Sequence, residues 1–423
     1  MATWTTDVEI DGQALENVTL NGLTITYGRQ IVSQQPEPTS ILLTLIRDSS
    51  LGTVDVSEIR IGAKLVVNVT ITGQTKRTRF FGWVTDVSLN QDTVTVVGVA
   101  TGIYVLRQLR AVVPEAYIAG TNATAGLVAF AWIAKGRTLL DVDFTAYYWP
   151  SWTEEGGAVG YGLCSAAISA NQLLNSYELV LAAVQSVNGV LWEDLRTADA
   201  DNQVKVIFAY DDARDASLAS TGIYQVNLTN DEILYVWEAE LDLSSFASSI
   251  TIEYNGSTIT ESGGNVSFPD ASSVSVTDSS ASTLGSVSRS FRTNNSYGSG
   301  SVGNPTASDI ARELLTWTAR PGYVVDVTVP VATFSNSRAY DVMMGCFCGN
   351  RWDVPSIATG LPTKFYLEGY RETISRHDWL IEARLSDVRN SWYGQPWNNV
   401  TPTLEWGQVG ATVDWLDLSG QEL

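Results

Sequence analysis

Short runs of alternating apolar and polar residues dominate the first hundred positions of this chain. A period of two is what a half-buried strand requires, because successive side chains point to opposite faces. Leu20-Asn-Gly-Leu-Thr-Ile-Thr-Tyr27 is one such run, closed by Gly28-Arg29. Gln35-Pro36-Glu37-Pro38 follows as a stiff extended linker, since the residue before a proline is pushed out of the helical region. Further strands are expected at Ile41 to Ile46 and at Ile61 to Ile71, the latter closed by a turn at Thr72-Gly73-Gln74. Arg79 to Ser88 and Thr93 to Val99 form a candidate hairpin across Asn90-Gln91-Asp92. Strands at this spacing predict a small barrel or sandwich. Lys76, Arg77 and Arg79 make a short basic run that reads as a solvated strand end.

The pattern changes between about 110 and 230. Ala123 to Ala134 is Ala-rich and reads as helical. Ser176 can cap a helix running to Val187, with Leu179, Val180, Ala183, Val184 and Val187 on one face and Gly189 ending it. Val190 to Glu193 and Val204 to Phe208 then read as a hairpin around a turn at Asp199 to Asn202. This stretch is a mixed α/β unit.

Strands return with Leu234 to Glu240 and Ser249 to Tyr254. Residues 270–301 are so rich in Ser, Thr, Asn and Gly that they read as a long loop or extended arm. Asn304-Pro305 then opens a helix whose buried stripe is Ala307, Ile310, Ala311, Leu314 and Leu315, and Arg320-Pro321-Gly322 stops it. A strand over Tyr323 to Val331 and a short helix from Ser335 to Met344 come next. Lys364 to Arg371 and Trp379 to Leu385 form a hairpin over a polar turn that contains His377. The two ends echo each other: Phe81-Gly-Trp-Val-Thr-Asp86 and Leu367-Glu-Gly-Tyr-Arg-Glu372 both set Gly before an aromatic residue.

Composition narrows the function classes. With 423 residues and 44% hydrophobic, a large core is available. Lys plus Arg is 25 and Asp plus Glu is 46, so the formal charge is −21. That balance argues against gripping nucleic acid, which needs a basic face, and against an anionic membrane. The N-terminus lacks the basic and apolar regions of a secretory signal, and no run approaches the roughly 18 apolar residues of a spanning helix, so a soluble protein without membrane insertion is expected.

The three cysteines, Cys164, Cys346 and Cys348, are too few and too sparse for a disulfide framework. A zinc site would need Cys164 or His377 beside the Cys346/Cys348 pair, so the thiols read as small core residues; no metal and no cofactor is expected. No phosphate-binding, nucleophile-elbow or zinc-protease motif occurs. Glu154-Glu155, Asp211-Asp212 and Asp141 with Asp143 are carboxylate pairs, but a chain with 46 acidic residues makes such pairs inevitable. The cluster Tyr147, Tyr148, Trp149 and Trp152 beside Glu154 and Glu155 leaves an alternative open: a glycan-binding or glycan-hydrolysing protein at a host surface.

Several of these segments, in order, resemble the minor tail proteins of long-tailed phages of actinobacteria. They are Thr24-Ile-Thr-Tyr-Gly-Arg-Gln30 with Gln34-Gln-Pro-Glu-Pro38; Phe80-Phe-Gly-Trp-Val-Thr-Asp-Val-Ser88; Ala307 to Leu315 with the strand ending at Pro330; and the hairpin Phe365 to Leu385. The resemblance covers most of residues 20–388, while the region around 140–175 and the tail after 390 depart from it.

What the resemblance implies is a mainly β fold with α/β insertions: two tail-tube-like β-barrel hub domains plus a mixed α/β domain. The expected division is a first hub barrel over 1–110, the α/β domain over 111–230, a second hub barrel over 231–390, and an aromatic C-terminal arm over 391–423. The implied function is structural and non-enzymatic: a homotrimeric hub at the tail tip of the virion, joining the sixfold tail tube to the tip around the DNA exit path. Its implied partners are the distal tail protein, the tape measure protein and other minor tail or fibre proteins, with phage DNA passing unbound. Interface residues expected on this basis are Tyr27, Arg29, Trp83 and Asp86 on the strands, and Trp392, Tyr393, Trp397 and Trp406 on the arm.

Overall fold

The computed structural model describes residues 1–14, 18–29, 35–47, 59–90, 93–108, 110–112, 144–148, 165–166, 173–175, 177, 189–194, 204–210, 226–235, 239–242, 246–255, 271–277, 286–292, 295–296, 307–318, 322–346, 350–356 and 363–387. The helix expected at Ala123 to Ala134, the helix expected after Ser176 except Tyr177, and the aromatic arm lie outside them.

The chain opens with β1 (Trp4–Ile10), which a turn at Asp11 and Gly12, both at positive φ, folds back into β2 (Gln13–Ala14). β3 (Val18–Gly28), β4 (Ser40–Arg47), β5 (Lys64–Ile71), β6 (Arg77–Leu89) and β7 (Thr93–Ala100) follow where the alternating runs place them. β7 shows why: Val94, Val96, Gly98 and Ala100 are buried while the residues between them are half-buried. Helix α1 (Thr101–Gln108) leads out of β7.

The next strands are β8 (Arg110–Val112), β9 (Phe144–Tyr148), β10 (Ser165–Ala166), β11 (Leu173–Asn175), β12 (Gly189–Asp194) and β13 (Val204–Tyr210). β12 and β13 pair antiparallel, as the sequence leads one to expect, and β9 runs parallel to β13. These three strands form a small sheet separate from the main one.

The remaining elements begin with β14 (Val226–Asn227), a 3-10 turn (Asn230–Glu232), β15 (Ala239–Asp242), β16 (Ser249–Asn255), β17 (Ala271–Thr277), β18 (Ser288–Arg292) and β19 (Asn295–Ser296). Then come α2 (Ala307–Thr318), β20 (Gly322–Pro330), α3 (Asn336–Gly345), β21 (Arg351–Asp353), β22 (Lys364–Ser375) and β23 (Trp379–Asp387).

Two expectations need correction in this stretch. Residues 270–301 are not wholly loop: β17 and β18 flank β16, and α2 covers the sheet through Ile250, Ile252, Ala311, Leu314 and Leu315. Of the strand expected at Leu234 to Glu240, Leu234 and Tyr235 lie in a bend, and the described strand is β15 at Ala239–Asp242.

The main sheet has 13 strands, in the order β15-β20-β23-β22-β3-β4-β7-β6-β5-β1-β2, with β21 and β14 attached beside β22. The join between the halves is β22 against β3, registered from Gly369 opposite Gly28 to Ser375 opposite Gly22. The two ends of this order curl toward each other. Ala2 N donates to Ala332 O (3.1 Å), Thr3 N donates to Asn336 Oδ1 (2.9 Å), and the Trp4 ring meets Trp379 edge-on at 5.5 Å. One core runs through both halves, from Leu23, Ile41 and Phe80 to Val327, Phe365 and Ile381. The expected pair of closed barrels is therefore replaced, among the described strands, by one continuous curled sheet around a shared core.

Candidate functional site

Buried polar groups need their hydrogen-bond partners inside the chain, and here they gather around two ion pairs. Arg79 faces inward from β6 and meets Glu372 of β22 across the core, with Nη2 at 2.7 Å and Nε at 3.1 Å from Oε2. The other Glu372 oxygen accepts the Trp379 indole N–H at 2.9 Å, and Arg79 also donates to Tyr370 Oη (3.3 Å) and Met343 O (3.4 Å). Burial pulls the Arg79 pKa down, but the charge of Glu372 and the neighbouring Tyr370 and Cys346 outweigh it, and the net shift is upward. The reading of Arg79 as part of a solvated strand end is corrected: its side chain is 2% exposed. Arg77 next to it donates to Tyr340 Oη at 2.8 Å.

Tyr27 and Arg29, expected at an interface, sit inside the chain. The Tyr27 ring stacks on Tyr370 at 5.0 Å, and its hydroxyl donates to the Glu193 carbonyl of β12. Arg29 Nε pairs with Glu368 Oε2 at 2.5 Å, and Glu368 also accepts from the Ser386 hydroxyl. Gly369, next to Glu368, leaves no room for a side chain: a Cβ there would lie 2.7 Å from Tyr27 O and 2.8 Å from Arg29 O. Its echo Gly82 is under the same constraint, 2.1 Å from Val99 O. The repeated Gly before an aromatic thus marks two places where a neighbouring backbone comes too close for a Cβ.

Trp83 and Asp86 do reach the outside of the sheet. Cross-strand partners share a face, so the pairings trace one outer row through Glu382, Arg371, Thr26, Ser40, Val99, Trp83 and Lys64. A second row runs through Leu380, Thr373, Thr24, Leu42, Val97 and Asp86. The character of this face changes along the sheet. On β20, β22 and β23 it carries the cross-strand charge pairs Arg371–Glu382 and Arg384–Asp326. On β3, β4 and β7 it is Thr, Ser, Val and Leu, with Leu42 45% and Ile46 41% exposed. Isolated exposed apolar residues are ordinary, but an uncharged stretch flanked by Trp83 and Asp86 is the best candidate for contact with a neighbour.

The remaining candidates divide simply. Cys346 is buried, its thiol donating to Val342 O at 3.3 Å, whereas Cys164 and Cys348 lie outside the described residues. His377 is exposed in the turn between β22 and β23, where Ser375 Oγ accepts the Asp378 N–H at 3.0 Å. Trp149, Trp152, Glu154 and Glu155 lie outside the described residues, as do Trp392, Tyr393, Trp397 and Trp406. Among the described residues no helix is long and apolar enough to cross a membrane.

Sequence reasoning missed Glu193, Glu368 and Glu372, the acidic partners of the buried network. All three stand in strand-like runs at positions where an apolar residue or a solvated charge is the usual expectation. The available signal was an unpaired acid within an apolar strand, as in Val190-Leu-Trp-Glu193.

Two solved structures share this architecture along nearly the whole chain. The 43 kDa tail protein of prophage MuSo2 from Shewanella oneidensis superposes with a TM-score of 0.54 at 12% identity, covering 92% of this chain and 99% of that one. A tail protein from Neisseria meningitidis MC58 gives 0.53 at 13% identity, covering 91% and 96%. The chain has the fold of these two tail proteins. No family model matches the chain, and no curated protein is similar to it in sequence.

Proposed function

We propose that this chain is a structural protein of a phage tail and that three copies form the hub of the tail tip. The observation that carries the reading is the shared fold, which extends over about nine tenths of the chain in two tail proteins, one of them from a prophage. The fusion of the two halves into one curled sheet supports it further, because a hub needs two related units held in fixed relation.

In this reading the uncharged outer face beside Trp83 and Asp86 meets a neighbouring subunit or tail protein. The aromatic arm with Trp392, Tyr393, Trp397 and Trp406 anchors on the same or an adjacent partner. The distal tail protein, the tape measure protein and other minor tail or fibre proteins are the partners proposed. A charge of −21 per copy lets DNA pass without capture, since phosphate is repelled by a surface of its own sign.

Sedimentation velocity on the purified chain tests the assembly. A trimer is expected, and Leu42→Lys should reduce it to monomer while the far-UV circular dichroism stays that of the wild type, because residue 42 is on the outside. A wild-type monomer that also fails to bind the distal tail protein would overturn the hub reading.

A further inference from the structure

The small sheet of β9, β12 and β13 is separate from the main sheet, and β12 joins it to the main body, with Leu191 buried in the main core and Glu193 buried two residues on. Glu193 is 1% exposed, and both of its carboxylate oxygens are used. Oε2 accepts the backbone N–H of Thr39, just before β4, at 2.8 Å. Oε1 accepts the backbone N–H of Ile103, in the first turn of α1, at 2.6 Å. That turn leaves its amides without helical partners, so a carboxylate there satisfies a donor that would otherwise be lost. The main chain of the same strand is also held: Tyr27 donates to Glu193 O, and Leu191 N donates to Gln35 Oε1 at 3.0 Å.

These contacts make Glu193 the meeting point of β3, the linker before β4, and α1. The Thr39 carbonyl is already taken by Ala100 N at 2.8 Å, so Thr39 is fixed on one side by β7 and on the other by the inserted strand. Among the described residues, the charged and titratable groups facing this point are Tyr27 of β3, Arg107 of α1, and Glu37, whose carboxylate pairs with Arg107 at 2.6 Å. Arg107 in turn lies over the Tyr177 ring at 4.7 Å, which adds a second contact between α1 and the middle of the chain.

We propose that Glu193 is a releasable latch: the inserted small sheet docks on the main sheet, and undocks from it, as a unit that this carboxylate fastens beside Leu191, whose side chain is buried in the main core. The inference does not depend on the assembly proposed above. When the latch opens, the amides of Thr39 and Ile103 lose their acceptor while the β22–β23 hairpin and the Arg79–Glu372 pair remain in place. Undocking is thus a local event with a free energy smaller than that of global unfolding. Because Tyr27 carries both the Glu193 contact and the stacking on Tyr370, the main-sheet side of the latch is tied into the core, and movement belongs to the inserted side.

Hydrogen exchange followed by mass spectrometry on the full chain tests this. Glu193→Ala should speed exchange in the peptides containing Thr39 and Ile103 by about tenfold or more, with peptides of β22 and β23 unchanged. Tyr27→Phe, which removes one donor and keeps the ring, should give a smaller acceleration at the same two places. Unchanged exchange at Thr39 and Ile103 would overturn the proposal. So would equal acceleration throughout β22 and β23, which would make Glu193 part of the global core. If Glu193→Ala does not fold, Glu193→Gln is read in the same way, and failure of both to fold counts against a local latch.

Discussion

Arg79 and Glu372 are each almost wholly removed from water and face one another across the core. Forming such a pair yields little net stability, because both ions lose hydration; breaking it is costly, because one ion is left buried alone. Glu372→Ala should therefore destabilise the chain by about 3–5 kcal/mol in a urea or guanidinium titration. A loss below about 1 kcal/mol would mean that water reaches Arg79 and the pair is not the bridge described here. Glu193 behaves differently. Burial raises its pKa and outweighs the opposing hydrogen bonds from Thr39 and Ile103 and the charge of Arg107. Its folded-state value thus stands above the unfolded one, so its contribution is complete below the unfolded value of about 4.3 and is lost as pH rises through the folded value. The difference in thermal midpoint between the wild type and Glu193→Gln should move in favour of the variant as pH rises from about 4 to about 8. A difference independent of pH would contradict the assignment.

At the level of elements, legibility followed periodicity. β3 and β7 stand where alternation places them, β4, β6 and the β22–β23 hairpin where apolar and aromatic runs place them, and α3 is capped by Ser335, whose hydroxyl accepts the Arg338 N–H. β17 and β18 were hidden because Ser and Thr serve on a strand's solvent face as readily as in a loop. Only Val274 and Val276 of β17 turn toward the α2 side, too weak a signal against such a background. What seals that sheet is the apolar set of β16 and α2 rather than strand propensity. Ile252→Ala should cost about 2–4 kcal/mol locally. Limited proteolysis is then expected to cut first in 256–318 while Trp379, far off in the main core, keeps its buried environment. Simultaneous loss of both regions would show that the small sheet and the main core unfold together.

At the level of the whole molecule, the pairing of β22 with β3 was not legible, since no local pattern states which strands meet across more than three hundred residues. The sequence echo suggested two related units, and it is the contact between them that decides how they behave. If each half were a closed barrel, a fragment of residues 1–112 would be a domain in its own right. In this architecture the same fragment loses the β22 edge along β3, leaves Arg79 without Glu372, strips Tyr27 of Tyr370, and opens the Trp4–Trp379 contact. Each loss exposes a group that only the other half can cover, and small domains have no surplus stability to absorb several such costs at once. The fragment should accordingly show no cooperative thermal transition by calorimetry, whereas the full chain should melt with both halves in one transition. A fragment melting cooperatively near the midpoint of the intact chain would restore the two-barrel view. The shared core would then be a contact between finished domains and not the condition for either to fold.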